Sequence, residues 1–157
     1  MKFIDGKPRC NWIKDHSLYL KYHDEEWGVP IYDDHKLFEL LVLESAEAGL
    51  SWLTILKKRT NYRLAYDNFD PEKVACYDSK KEEELMMNAG IIRSKSKIIS
   101  SVQNAGKFLE IQKQHGSFSN YIWGYTGRQP ILNNWNTSEE VPSRTDLSDT
   151  ICTDMKN

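Results

Sequence analysis

The sequence feature that most constrains the fold is the run HKLFELLVLESAEA at residues 35–48. Its apolar side chains occupy almost every face of a helix, which Asp33 or Asp34 can cap and Gly49 can end. A helix that is apolar all round has to be covered on all sides by other elements. The chain is therefore predicted to fold around this helix, which we expect near the centre of the molecule.

Helical signals fill most of the remaining chain, and no stretch shows the alternation of a half-buried strand. Ser51 is expected to cap the next helix along the chain. The dipeptide Asp70-Pro71 is typical of a cap followed by a first helical turn. Ser79 with Glu82 predicts a capping box before a further helix.

The helix after Ser51 is predicted to separate apolar from basic side chains. Leu53, Leu56 and Tyr62 can turn toward the core. The basic side chains that we expect to stay in solvent are Lys57, Lys58, Arg59 and Arg63. Because most short basic clusters are solvated faces, this one is not interpreted as a binding site.

The C-terminal half predicts three more helices around one long loop. In the run KSKIISSVQNAGKFLEIQKQ, the apolar stripe is Ile98, Val102, Ala105 and Leu109. Ser117 is expected to cap a short aromatic helix, and Ser143 with Asp146 predicts a last capping box after the loop at residues 126–142. These signals together predict an all-α fold with a single domain over residues 1–157.

Composition narrows the class of protein without naming a partner. A formal charge of -2 gives no overall positive field, so charge alone does not indicate nucleic acid. The 3 cysteines are an odd number at wide spacing, which favours reduced thiols or metal ligands over a disulfide framework. We see no signal peptide and no apolar run long enough to span a bilayer. A cytoplasmic protein without membrane contact is expected.

Glu44 is the most unusual residue of the central run. Leu37, Leu40 and Leu41 precede it by seven, four and three residues and therefore share its helix face. An ionised carboxylate on an apolar stripe is unfavourable unless it has a partner. The partner is either a nearby arginine or helix N-terminus, as for a structural residue, or a ligand in a pocket.

Aromatic residues crowd the segments on either side of Glu44. They are Trp12, Tyr19, Tyr22, Trp27 and Trp52. Most aromatic clusters belong to a core. A carboxylate acceptor among aromatic faces is also what a pocket needs to hold an extruded, electron-poor base by stacking and edge hydrogen bonds.

The segment NAGII joins two predicted helices and is followed by basic residues. We expect Gly90 to permit a turn with positive φ, after which the backbone N–H groups of a new helix point outward and favour a phosphate. The candidate phosphate-binding residues are Gly90, Ile91, Arg93, Lys95 and Lys97. This pattern is typical of a helix-hairpin-helix element, although a glycine between two helices is more often a simple C-cap.

Cys10 and His23 could offer one thiolate and one imidazole to zinc. A structural zinc site requires four ligands, and no spacing of the other cysteines and histidines completes the set. The alternative is that Cys10 is a small buried residue.

Four segments together resemble the constitutive 3-methyladenine DNA glycosylase family in order and spacing. They are RCNWIKDHSLYLKYHDEEWGVP, LFELLVLESAEAGLSWLTILKKRTNYR, FDPEKVA and NAGIIRSKSKI, and the resemblance runs from about Arg9 to Asp154. It implies an all-helical member of the helix-hairpin-helix glycosylase superfamily, which binds duplex DNA and flips the damaged nucleotide into a pocket.

The resemblance also implies roles for single residues. The pocket glutamate of the family falls on Glu44, its base-contacting tyrosine on Tyr22 and its stacking tryptophan on Trp52. Trp12 is a second aromatic wall, with Tyr19 beside it. The zinc-binding cysteine and histidine fall on Cys10 and His23.

Two departures from the family pattern bear on this assignment. Glu47 stands where the family usually has a glutamine, which places a second carboxylate near the base. The family also continues past Asn157 into a helix with a histidine and a cysteine that complete the zinc site. We therefore expect a chain that lacks this C-terminal helix and offers zinc half a site, with no organic cofactor.

The expected function is excision of 3-methyladenine from alkylated double-stranded DNA in base excision repair. The enzyme is expected to be a monomer and a monofunctional hydrolase of N-glycosyl bonds, because no lysine is placed to form a Schiff base. The alternative from another class is a non-catalytic DNA-binding remnant of the family. A bifunctional glycosylase-lyase for oxidised bases is a more distant alternative.

Overall fold

The computed structural model describes residues 2–13 and 15–156, and these form a mostly helical fold with one small hairpin. The strands are β1 (Lys2–Ile4) and β2 (Lys7–Arg9). The helices are α1 (Ser17–Glu25), α2 (Asp34–Glu47), α3 (Trp52–Ala65), α4 (Pro71–Ala75), α5 (Ser79–Met87), α6 (Lys95–His115), α7 (Phe118–Gly124) and α8 (Asp146–Asp154). Within these residues, no helix has the length and hydropathy needed to cross a membrane.

Helix α2 lies at the centre, as its apolar sequence predicted. Phe38, Val42, Leu43 and Ala46 of this helix are buried, and it packs against α3, α6 and α7. At its start the Asp33 side chain accepts the Lys36 N–H at 2.9 Å. The central position of the run at residues 35–48 is therefore confirmed.

Three of the predicted helix starts are confirmed, and two are wrong. Ser51, Asp70 and Ser117 cap α3, α4 and α7. Asp78, rather than Ser79 with Glu82, caps α5, because Asp78 has the extended backbone of a cap while Ser79 is already helical. Thr145, rather than Ser143 with Asp146, caps α8 for the same reason, and Ser148 completes its capping box.

The buried stripe of α6 lies slightly to one side of the predicted one. Ile98, Ser101, Ala105 and Phe108 are buried, whereas Val102 and Leu109 are only half-buried. The stripe is shifted because α6 packs against α4, α5 and α7 as well as α2. Ser101 tolerates burial because its hydroxyl donates to the Ile98 carbonyl at 2.7 Å.

The small hairpin of β1 and β2 was not predicted, because the sequence analysis found only helical signals. Its strands pair antiparallel with Lys2 opposite Arg9, and the turn residues Asp5 and Gly6 have φ values of 54° and 74°. Positive φ at both central residues is the geometry that an Asp-Gly turn favours. That dipeptide was the available signal for this hairpin.

The segment between α5 and α6 is held against α3. Lys58 donates to the Ala89 carbonyl at 2.9 Å, and the Tyr62 hydroxyl accepts the Ile92 N–H at 3.1 Å. The predicted positive φ at Gly90 is wrong. Glycine is needed there for space, because a Cβ atom would lie 2.9 Å from Asn88 Oδ1 and 3.0 Å from Asn61 Cβ.

We predict that Gly90→Ala lowers the free energy of unfolding by about 1–3 kcal/mol, because the added methyl group overpacks this contact. Gly106→Ala is the matched control, since that glycine lies inside α6 with nothing within 4 Å of its Cβ position. It should raise stability by about 0.5–1 kcal/mol through helix propensity. Urea denaturation of both variants measures the difference, and equal effects would contradict the steric explanation.

Candidate functional site

Glu44 lies on α2 with its side chain open to solvent. In the part of the chain that the structure describes, no ion pair involves it. Partial burial and the negative charge of Glu47 raise its pKa. Of the two interpretations of Glu44, the structural ion pair is therefore wrong, and the carboxylate is available to a ligand.

Tyr22 and Trp52 form an aromatic pair beside this carboxylate. Their ring centroids lie 5.3 Å apart with an interplanar angle of 58°. Trp52 is 7% exposed, and its indole Nε1 is buried without a hydrogen-bond partner among the described residues. Burial and the charges of Glu44 and Glu26 raise the pKa of Tyr22 to about 12, so its hydroxyl stays neutral and can donate.

A second aromatic group extends this surface. Trp12 contacts Tyr19 and His23 at centroid distances of 5.6 Å and Trp27 at 5.2 Å. Tyr19 is buried, while Trp12 and Trp27 remain exposed. The aromatic residues that the sequence suggested are thus neither all core nor all surface, because Tyr19 and Trp52 are buried, Tyr22 is half-buried, and Trp12 and Trp27 are exposed.

Glu47 faces the same site from the last turn of α2. Its negative charge raises the pKa of Glu44 and, after burial, that of Tyr19. Glu44 and Glu47 are three residues apart and so lie on one helix face. Two carboxylates beside aromatic rings favour a positively charged ligand.

The buried carboxylate of α2 is Glu39, which the sequence analysis did not single out. Arg59 and Arg63 both contact it, at 2.7 Å and 2.8 Å, and Arg59 also contacts Glu26 at 2.7 Å. The prediction that Arg59 stays in solvent is wrong, since its side chain is 15% exposed. We call Glu26, Glu39, Arg59 and Arg63 the Arg59 network.

A cavity of about 390 Å³ opens beside the Arg59 network. Its lining includes Glu26, Arg59 and Arg63, whereas Glu44 and Trp52 are not among the described residues that line it. The cavity is therefore separate from the aromatic surface at Glu44.

The N-terminus of α6 has free backbone donors. In the described chain, the Ser94 side chain makes no capping hydrogen bond to α6, whereas a side chain caps each of the other α-helices. The first N–H groups of a helix have no intrahelical acceptor. With Arg93 and Lys95 exposed beside them, these groups can bind an anion.

Three of the predicted phosphate-binding residues have other contacts. Ile91 is 2% exposed and belongs to the core, so only its backbone can reach a partner. The Gly90 N–H donates to Asn88 Oδ1 at 2.8 Å. The Lys97 ammonium donates to the Ala46 and Ala48 carbonyls at 2.9 Å and 2.7 Å, which ties α6 to the end of α2. Arg93 and Lys95 remain as the candidate surface.

His23 has one ring nitrogen without a partner, but the described residues do not form a complete metal site. Hydrogen bonds from Arg9 and His23 lower the pKa of Asp24, so its ionised carboxylate accepts the Nδ1–H of His23 at 3.0 Å. This leaves Nε2 buried and without a hydrogen-bond partner in the described chain. Cys10 is a half-buried free thiol. Within the described ranges, no group of three His, Cys, Asp or Glu side chains could hold a metal ion.

The sequence is similar to proteins of a known family. The family model described as methyladenine glycosylase matches residues 12–157. DNA-3-methyladenine glycosylase 1 of Escherichia coli is 42% identical over 148 residues, which span 94% of this chain and 79% of that protein. The chain belongs to the methyladenine glycosylase family. DNA-3-methyladenine glycosylase of Haemophilus influenzae is 40% identical over 94% of this chain and 80% of its own length.

Solved structures of the methyladenine glycosylase family share the fold. A crystal structure of 3-methyladenine DNA glycosylase I superposes with a TM-score of 0.91 and 40% identity, covering 95% of this chain and 82% of that one. A Staphylococcus aureus structure that describes 3-methyladenine recognition has a TM-score of 0.88 and 38% identity, with coverage of 91% and 76%. The helical fold class that the sequence predicted is confirmed.

We predict that Glu44→Gln makes this glycosylase more stable at neutral pH. Because the folded-state pKa of Glu44 is raised, folding disfavours its ionised form at pH values above that pKa. The advantage of the glutamine variant should shrink as the pH falls through the titration range of Glu44, where the parent becomes neutral. Urea denaturation at neutral and acidic pH measures it. A variant that is less stable at neutral pH would reveal a stabilising partner for Glu44.

Proposed function

We propose that this chain is a DNA-3-methyladenine glycosylase, which hydrolyses the N-glycosidic bond of 3-methyladenine in alkylated DNA during base excision repair. The observation that supports it is the Glu44 carboxylate, which no described residue pairs, beside the Tyr22–Trp52 pair on the fold of relatives with that name. A cationic, flat ligand meets its complementary groups there.

The proposed mechanism relies on binding more than on a strong general base. Alkylation at N3 places positive charge on the adenine ring, so the base is already a good leaving group. Glu44 accepts hydrogen bonds from the adenine edge, and the neutral Tyr22 hydroxyl adds a polar contact. Trp52 and Trp12 stack on the cationic ring.

Water then completes the hydrolysis. Its oxygen forms a bond to C1′ as the C1′–N9 bond breaks, and the bonding electrons neutralise the departing base. The attacking water releases one proton to the surrounding solvent in this step. No lysine forms a Schiff base in this mechanism, so the enzyme is monofunctional.

The proposed DNA partner is double-stranded, and the enzyme acts on it as a monomer. The N-terminus of α6, which no described side chain caps, supplies the phosphate contact together with Arg93 and Lys95. With an overall charge of -2, contact with DNA depends on such local donors rather than on net charge. The cytoplasmic location stays a prediction.

We predict that Glu44→Gln and Arg93→Ala separate chemistry from DNA binding. Glu44→Gln should slow release of 3-methyladenine from methylated DNA roughly 100-fold or more while leaving DNA affinity unchanged. Arg93→Ala should weaken DNA affinity and lower the slope of log affinity against log salt by about 1, with little effect on single-turnover release at saturating enzyme.

Chromatography of released bases and a salt series of DNA titrations give these values, and each variant is the control for the other. Full release by Glu44→Gln would contradict the role of Glu44. DNA binding by the parent without any release would favour a non-catalytic DNA-binding protein, and a covalent DNA adduct trapped by borohydride would favour a glycosylase-lyase.

For zinc, the proposed ligands from the described residues are Cys10 and His23. The buried, unpartnered Nε2 of His23 and the carboxylate behind Nδ1 support this assignment. A bound zinc ion would be structural, joining the segment before α1 to α1 itself. No step of the reaction passes through it.

We predict that Co²⁺, used as a spectroscopic probe for zinc, gives a thiolate charge-transfer band with the parent protein. The band should be absent in Cys10→Ser and weakened in His23→Gln, because each variant removes one proposed ligand. Two ligands hold a metal far more weakly than four, so the titration should reach high metal concentrations. Cys76→Ser is the control, since Cys76 is an exposed thiol at the C-terminal end of α4 and is not a proposed ligand. An unchanged band in Cys10→Ser would exclude that thiol.

A further inference from the structure

The Arg59 network joins α1, α2 and α3. These helices carry Tyr22, Glu44 and Trp52, which we call the base site. Arg59 on α3 donates through Nε to Glu39 of α2 at 2.7 Å, and through Nη1 to both carboxylate oxygens of Glu26 at 2.9 Å and 2.7 Å. Glu26 is the C-cap residue that directly follows α1. One guanidinium group therefore contacts α1, α2 and α3 together.

Each of the three residues in this contact lies a short way along the chain from a residue of the base site. The Glu26 N–H donates to the Tyr22 carbonyl at 2.9 Å, so the two residues are one helical turn apart. Arg59 lies seven residues after Trp52, which is about two turns along the same face of α3. Glu39 lies five residues before Glu44 on α2, which is about 1.4 turns along the helix and on a different face, so the two carboxylates are connected through the helix itself.

Among the described residues, α1 is held against α3 at three points. They are the Tyr22–Trp52 ring pair, a hydrogen bond of the Tyr19 hydroxyl with the Leu53 backbone, and the ion pair of Glu26 with Arg59. Helix α1 has 9 residues, which is too short to hold its geometry without tertiary contacts. The ion pair is the point nearest the C-terminal end of α1, one turn beyond Tyr22, and so it limits how far that end can tilt.

We propose that Arg59 is a positioning residue of the base site, which sets the placement of Tyr22 relative to Trp52 and Glu44 by holding Glu26 and Glu39 at once. The inference rests on the proposed function for its chemistry, because it concerns the same site. Arginine suits this role since its planar fork reaches two carboxylates, which a lysine ammonium serves less well.

Arg63 provides a matched control inside the same network. It contacts Glu39 through Nε at 3.0 Å and Nη2 at 2.8 Å, and in the described chain it makes no ion pair with α1. Its side chain is 43% exposed. Replacing Arg63 removes a partner of Glu39 and leaves the tie to α1 in place.

The experiment compares the parent with Arg59→Met, Glu26→Gln and Arg63→Met. The first readout is the indole N–H resonance of Trp52 in a ¹⁵N-labelled protein, which reports the position of the neighbouring Tyr22 ring. The others are affinity for free 3-methyladenine, single-turnover release at saturating enzyme, and affinity for undamaged duplex DNA. If Arg59→Met does not fold, Glu26→Gln tests the same contact. The Glu26 side chain is 31% exposed, and Arg59 keeps Glu39 as a partner when Glu26 loses its charge.

We expect Arg59→Met and Glu26→Gln to shift the Trp52 resonance and to lower base affinity and release roughly tenfold, since small misplacements of binding groups have effects of this size or larger. DNA affinity should stay unchanged. Arg63→Met should match the parent in all four readouts even where it is less stable to urea.

Two results would overturn the proposal. In one, Arg59→Met and Glu26→Gln keep the parental Trp52 resonance and release. In the other, Arg63→Met shows the same losses, which would indicate general destabilisation. A parent that neither binds nor releases 3-methyladenine contradicts the proposed function instead, and the Trp52 resonance then decides the positioning role alone.

Discussion

The structure depends on a buried charge contact at the centre of its helices. Glu39 is buried on α2, and an unpaired carboxylate there would be strongly unfavourable. Arg59 and Arg63 from α3 neutralise it, and Arg59 extends the contact to the end of α1. Because buried ion pairs require well-defined geometry to offset desolvation, this contact restricts how the three helices can be arranged. Apolar packing alone would leave more arrangements open.

The aromatic surface beside this contact has the opposite electrostatic character. Glu44 and Glu47 lie on one face of α2 without a compensating arginine in the described chain. The charge of Glu47 disfavours ionisation of Glu44 and Tyr19, and the charge of Glu44 disfavours ionisation of Tyr22. An arrangement of this kind opposes stability and is typical of sites that bind a ligand of opposite charge. The arginines thus pair with Glu39 and leave Glu44 without an ion pair among the described residues, which is where we propose that the cationic base binds.

The first turn of α6 connects the base site to the segment between α5 and α6. Lys97 binds the carbonyls of Ala46 and Ala48, just after Glu44 on the chain, while the adjacent residues Arg93 and Lys95 face solvent. A cation at the C-terminal end of a helix is also favourable for its dipole. A phosphate held at the start of α6 would therefore lie at a fixed position relative to the aromatic surface, which suits the capture of an extruded nucleotide.

The sequence by itself determined most of the helices and the helical fold class, and it predicted which residues form the proposed site. Local rules place helix α2, the caps at Ser51, Asp70 and Ser117, and a carboxylate among aromatic residues, because capping and periodicity depend on near neighbours along the chain. The tertiary structure alone decided that Glu39 and Arg59 are paired and that Lys97 caps α2. These partners are 20 residues apart for Glu39 and Arg59 and 51 for Lys97 and Ala46. No local pattern encodes contacts over such separations, since a lone sequence shows which helix face is charged but not which charge of another helix lies opposite.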